Sequence, residues 1–150
     1  MFIAALSLGD LARYPEILGT LPALNALIGA SMGHLGNTLN VRLHVEGRAE
    51  LALYSRQAFI EALGVYVSTL TAFTVIATLG VVGNLALSLM TVSLVFLAVY
   101  VLSSLITFYL TLESFRHGWD PDNLVFPVMT TVADFLGYFF TSIALRVLAG

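Results

Sequence analysis

Residues 62–112 contain no aspartate, glutamate, lysine, arginine or histidine. One membrane-spanning helix takes roughly 20 apolar residues, so this run is long enough for two. Within it, "LGVVGNLAL" carries Gly80, Gly83 and Asn84, residue types that turn a chain. Further apolar stretches lie on either side. The pattern predicts membrane helices over residues 20–45, 59–82, 85–112 and 123–148. The expected fold class is all-α, a polytopic membrane helix bundle with a short N-terminal helix before the four full spans. That opening stretch, "MFIAALSLGDLARYPEIL", is the least regular part. Its apolar residues 1–8 reach only about 12 Å as a helix, too short to cross. Asp10, Arg13 and Glu16 then interrupt it. Residues 1–19 are expected to form an interfacial helix or the remnant of a first membrane helix, and residues 20–150 the transmembrane domain.

Composition agrees with the helix pattern. The chain is 59% hydrophobic and 10% charged, whereas soluble domains carry roughly 25% charged residues. All six basic residues are arginines. Arg42, Arg48 and Arg56 flank the first connection and Arg116 lies in the third, while the second has no basic residue. The positive-inside rule makes the first and third connections cytoplasmic and the chain a multi-pass protein of the cell membrane. The lipid bilayer is then its main partner. No cysteine is present, which excludes disulfides and thiolate metal sites. No basic patch supports binding of nucleic acid. No nucleophile–base pair or HExxH-type motif points to an enzyme.

Asp134 stands halfway along the last predicted helix. A charged side chain at the bilayer centre costs about 2.5–3.5 kcal/mol by insertion scales, which makes an intramembrane acid a functional candidate. Thr130 and Thr131 lie one turn before it, Pro127 two turns before, and Asn123 three turns before. Gly137, Tyr138 and Thr141 continue the line towards the other end. Hydroxyls and prolines are also ordinary in membrane helices, so the threonines alone decide little.

The first predicted helix carries a second stripe: Asn25, Gly29, Gly33, Gly36 or Asn37, Asn40 and His44. Gly29 and Gly33 form a GxxxG, which lets two helices approach closely. Packing this stripe against the last helix is expected to bring Asn37, Thr130, Thr131 and Asp134 together as oxygen ligands, with Gly33, Asn40, Asn123, Gly137 and Thr141 lining the path. Hard divalent cations want oxygen, and Mg²⁺ keeps several of its waters. One carboxylate suits a doubly charged ion poorly; two copies about a two-fold axis would supply two. The partner is therefore expected to be an identical chain or a homologous half. Asp120, Asp122 and Glu61 are candidates for an acidic cytoplasmic mouth. Asp120 and Asp122 also suit a cap at the positive end of the last helix, and Glu61 an interfacial anchor.

These two stripes resemble the membrane domain of the MgtE-type magnesium transporter and channel family, including its solute-carrier relatives. In the last helix the shared pattern is Asp120-Pro121, Pro127, Thr130-Thr131, Asp134 and Gly137. In the first, Gly29, Gly33, Gly36, Leu39, Leu43 and His44 follow Pro22. Ser31 and Leu35 stand where the family's "GNxGxQ" has asparagine and glutamine. The resemblance implies that Asp134 matches the family's pore magnesium ligand. It implies five membrane helices per repeat, of which most of the first would be missing here; the cytosolic sensing domains of the family's bacterial transporters are not expected in these residues. The expected function is a divalent-cation channel or transporter with a pore at a dimer interface. Its cargo is Mg²⁺, or Mn²⁺ or another divalent ion, without an organic cofactor. The alternatives are a proton- or Na⁺-coupled cation exchanger, and a non-conducting subunit that assembles with a longer homologous partner.

Overall fold

The computed structural model describes residues 13–80 and 84–149. Most of the expected N-terminal segment (residues 1–12) and Gly83 lie outside the described residues. Four helices make up the rest: α1 Pro15–Glu46, α2 Leu51–Leu79, α3 Leu85–Arg116 and α4 Pro121–Ala149.

Local chemistry sets their ends. Proline opens α1 and α4, where a missing N–H costs nothing and φ is already helical. Gly47, at φ 69°, closes α1 and donates its N–H to the Leu43 carbonyl at 3.1 Å. Glycine takes that left-handed conformation without a steric penalty. Asn84 caps α3, its Oδ1 accepting from the Leu87 N–H at 3.1 Å. Asp120 does the same for α4, accepting from the Asp122 N–H at 3.0 Å. Two starts differ from the sequence reading. α1 begins at Pro15 rather than at residue 20, and α2 at Leu51 rather than at residue 59. Charged and amide residues such as Glu16, Arg56 and Gln57 are adequate helix formers, so polarity ended the expected span without ending the helix.

α1 is the axis of the bundle. Its row Ile17, Leu21, Leu24, Ile28, Met32 and Leu35 is at most 1% exposed. α2 and α4 run antiparallel to it: Gly19 meets Ile76, and Gly29 meets Thr130. α3 runs parallel, with Glu16 bonded to Ser88 near one end and His44 stacked edge-on against Phe115 near the other. α2, α3 and residues Pro121–Leu148 of α4 are long and apolar enough to cross a membrane. α1 is long enough but falls short on hydropathy, because glycines, asparagines, Ser31 and His34 dilute its apolar row.

α3 shows what solvent the bundle is built for. Ser88, Thr91, Ser103, Thr107, Thr111 and Ser114 point inward, while Leu94, Leu97, Val101 and Leu105 point outward. That reverses the rule for soluble proteins and is natural in lipid, where small and hydroxyl side chains fill helix–helix contacts.

Candidate ion site on the α1–α4 pair

The register of α1 against α4 is set by glycines. Gly29 lies against Thr130, Gly33 against Phe126, Gly36 against Val125, and Gly137 against Asn25. A Cβ on Gly29 would stand 2.9 Å from Thr130 Cγ2 and 3.2 Å from its Cα; one on Gly36 would stand 2.7 Å from Val125 Cγ1. No larger residue fits without parting the helices. The expected close approach at the GxxxG is thus present.

In this register the polar line on α4 divides into two. Asn123, Pro127, Thr131, Asp134 and Tyr138 lie on an exposed face. Thr130 is half-buried against Gly29, and Gly137 and Thr141 face into the bundle. Thr141 is fully buried and donates to the Gly137 carbonyl at 2.7 Å. The expectation that Gly137 and Thr141 extend the line through Asp134 is therefore corrected. At 3.6 residues per turn, positions 127, 131, 134 and 138 share one face, and 130, 137 and 141 share the next.

The exposed face is rich in oxygen. Thr130 and Thr131 donate their hydroxyl hydrogens to the Pro127 carbonyl at 3.0 and 3.1 Å, which leaves their lone pairs free to accept. Pro127 has no N–H, so the Asn123 carbonyl lacks its helical donor. Asp134 takes part in none of the hydrogen bonds or salt bridges among the described residues, and its side chain is exposed. Beside it on α1, Pro22, Ala26 and Ala30 are also exposed.

Asn37 does not join this group within one chain. It shares a cavity of about 330 Å³ with Gly33, His34, Asp122 and Phe126. Asp134 lies about 18 Å along α4 from Asp122. The physical reason is the antiparallel register, which sets residues C-terminal to Gly33 beside the start of α4. Gly33 is half-buried under Phe126. Asn40 is buried and donates to Asp122 Oδ1 at 3.0 Å, its own Oδ1 left without a partner. Asp120 bonds the Asp122 N–H and, at 2.5 Å, the Asn123 amide, which makes it a cap whatever else it does.

Glu61 departs furthest from expectation. Because α2 starts at Leu51, Glu61 lies about 15 Å inside the helix rather than at its end. Its carboxyl meets Ser31 Oγ at 2.6 Å, His34 Nδ1 at 2.7 Å and Gln57 Nε2 at 3.2 Å. Ser31 stands near the midpoint of α1 and Tyr100 near that of α3, their oxygens 2.9 Å apart. Glu61 thus ties α2 to α1 well inside the helix, and through His34 it borders the cavity that Asp122 lines.

With this geometry in view, the MgtE family, a divalent cation transporter domain, matches residues 21–144. The chain belongs to the MgtE family. Comparison with curated proteins and with solved structures gives no match. The matched segment runs from the second turn of α1 to the last turns of α4, and holds both Asp134 and Glu61. MgtE proteins are transporters rather than enzymes, in line with the absence of a catalytic motif. Three long apolar helices fit a protein of the membrane.

Two polar sites of this MgtE chain escaped the sequence reading. Ser31 and Tyr100, the partners around Glu61, look unremarkable one at a time, and only the three-helix contact joins them. Glu16, assigned to the irregular N-terminal stretch, is buried in the first turn of α1, where its Oε1 accepts from Ser88 at 2.5 Å. A serine or glutamate standing alone in each of two facing apolar helices was the available signal.

Proposed function

We propose that this chain passes a divalent cation, Mg²⁺ preferred, along a path between the exposed α1–α4 faces of two subunits, with Asp134 as the principal ligand. The carrying observation is the unpartnered Asp134 on the outward face of α4, within an apolar helix of a divalent cation transporter. Lipid is a poor neighbour for a carboxylate, at about 2.5–3.5 kcal/mol. A second subunit with its own Asp134 would cover the group, and the two charges would match a divalent ion. Thr131, one turn away, and Thr130 beside it offer lone pairs, as does the Asn123 carbonyl. The small side chains of Ala26 and Ala30 leave room for a partner.

Asn37, Asn40 and Asp122 belong to the end of the path where the α1–α2 and α3–α4 connections lie, which the arginine distribution makes cytoplasmic. There the cavity beside His34 and Asn37 gives a hydrated ion somewhere to wait. The test is Mg²⁺ flux in liposomes, wild type beside Asp134→Asn. The wild type is expected to carry Mg²⁺ and the variant to lose it; equal flux in both contradicts the role of Asp134.

A further inference from the structure

α2 and α3 follow one another along the chain, yet an apolar groove of about 350 Å³ lies open between them. Tyr54, Ala58 and Tyr100 are buried at its floor, and exposed Phe59, Leu97 and Leu105 form its rims. Every hydroxyl along the groove already has a protein partner. Tyr54 donates to the Ser104 carbonyl at 2.7 Å, Tyr66 meets Ser93 at 2.8 Å, and Tyr100 donates to the Ala58 carbonyl at 3.0 Å. Ser55 and Ser104 donate to carbonyls of their own helices at 3.1 and 2.9 Å. The groove therefore offers an occupant apolar surface alone, and a polar occupant would lose its water there without compensation.

Its length separates the possible occupants. The groove begins at Leu51, the first residue of α2, and ends at Tyr66, near the middle of that 29-residue helix. At 1.5 Å per residue this is about 22 Å. Half a bilayer, headgroups included, is about 20–22 Å. The groove thus matches the depth of one lipid molecule. A helix crossing the whole membrane would be matched over only half its length.

The surface end of the groove is basic. Arg56 stands next to Ser55 on α2, is exposed, and has no acidic partner among the described residues. Arg48 is exposed just before α2 and pairs with Glu50 at 3.2 Å. Across residues 42–56, Arg42, Arg48 and Arg56 outnumber Glu46 and Glu50. No side chain caps α2, so the N–H groups of its first turn and its positive dipole end are open at the same place. On α3, Tyr109 lies one turn beyond Leu105 and is 62% exposed, which carries the rim on towards that end. Arginine and a helix N-terminus are groups that hold phosphate.

We propose that the α2–α3 groove binds one anionic phospholipid, with its phosphate at Arg56 and the start of α2 and one acyl chain laid along the groove to Tyr66. The lipid belongs to the leaflet beside the α1–α2 connection, which the arginine distribution makes cytoplasmic. Its chain fills the gap between α2 and α3 and braces α2 on the side away from α1. The site is separate from the α1–α4 face and does not depend on the ion path proposed above.

The test is native mass spectrometry of the full chain in detergent, with phosphatidylglycerol or phosphatidylcholine of identical acyl chains added. The wild type is expected to retain phosphatidylglycerol at least about five-fold better, the preference one basic residue gives near a membrane surface. Arg56→Gln is expected to bind the two lipids alike. Ala62→Phe fills the groove from its lining and is expected to lose both. Equal retention of the two lipids by the wild type, an unchanged preference in Arg56→Gln, or full retention by Ala62→Phe overturns the proposal. A second measurement needs no variant: crystals of the wild-type chain grown with phosphatidylglycerol brominated on its acyl chains. Anomalous bromine peaks are expected between α2 and α3. No bromine in the groove, or a protein helix lying there, overturns the proposal.

Discussion

Asp134 and Glu61 are both acids set deep in long helices, and their surroundings are opposite. Asp134 faces outward, with no hydrogen-bond or ion-pair partner among the described residues. Glu61 faces inward and meets three side chains at 2.6–3.2 Å. The same functional group is left open in one place and closed off in the other. A carboxylate that its own chain leaves unsatisfied in a membrane is suited to bind something from outside, such as a cation together with a second subunit's acid. A carboxyl satisfied within its own chain is suited to hold helices together. The surroundings differ because the α1–α4 contact is built from glycines, whereas α1 and α2 meet around Glu61 through polar side chains.

The largest effect that would break this contrast is at Asp134. Asp134→Asn is expected to lower Mg²⁺ flux by more than about 100-fold, since even the outer partners of a bound metal are worth about 10–100-fold in affinity. Thermal stability in detergent is expected to hold or rise, because an exposed, unpartnered charge is removed. A variant that melts early and still transports would reverse the assignment. Next comes the α1–α4 seam. Gly29→Ala must push against the Thr130 backbone and is expected to destabilise by about 1–3 kcal/mol in reversible unfolding. Gly64 on α2 has nothing within 4 Å of its would-be Cβ, so Gly64→Ala serves as the control, within about 1 kcal/mol of wild type.

Smaller effects sharpen the inward side. Ser31→Ala removes two interhelical bonds, to Glu61 and to Tyr100, and is expected to cost about 1 kcal/mol, since such bonds within a membrane average about 0.6 kcal/mol each. The smallest concerns Asp120. Asp120→Ala is expected to cost about 1 kcal/mol as a lost helix cap. Asp120→Asn, which caps equally well, should match the wild type in stability. Any flux change shared by the two variants would then report on charge at the mouth rather than on the cap.

Much of this was legible in the sequence. The charge-free run of residues 62–112 marked two spans, and the glycine spacing on α1 identified the helix that packs against α4. Asp134 stood out because charge inside an apolar helix is costly. Register was not legible. The line of Thr130, Thr131, Asp134, Gly137 and Thr141 reads as one stripe, yet about 100° separates neighbouring residues on a helix, and the α1 contact divides it. Asn37 was set beside Asp134 for the same reason, since periodicity gives a face but no position along the partner. Glu61 was misplaced because hydropathy locates the apolar part of a helix and not its first turns. That left an acid well inside α2 looking like an end residue.

The most direct measurement is anomalous scattering from crystals of the full chain soaked in Mn²⁺, which stands in for Mg²⁺ at an oxygen site. The account expects a peak between two Asp134 carboxylates from two subunits, with Thr131 and water around it. Mn²⁺ bound elsewhere in the bundle, with both Asp134 side chains clear of it, would contradict the account.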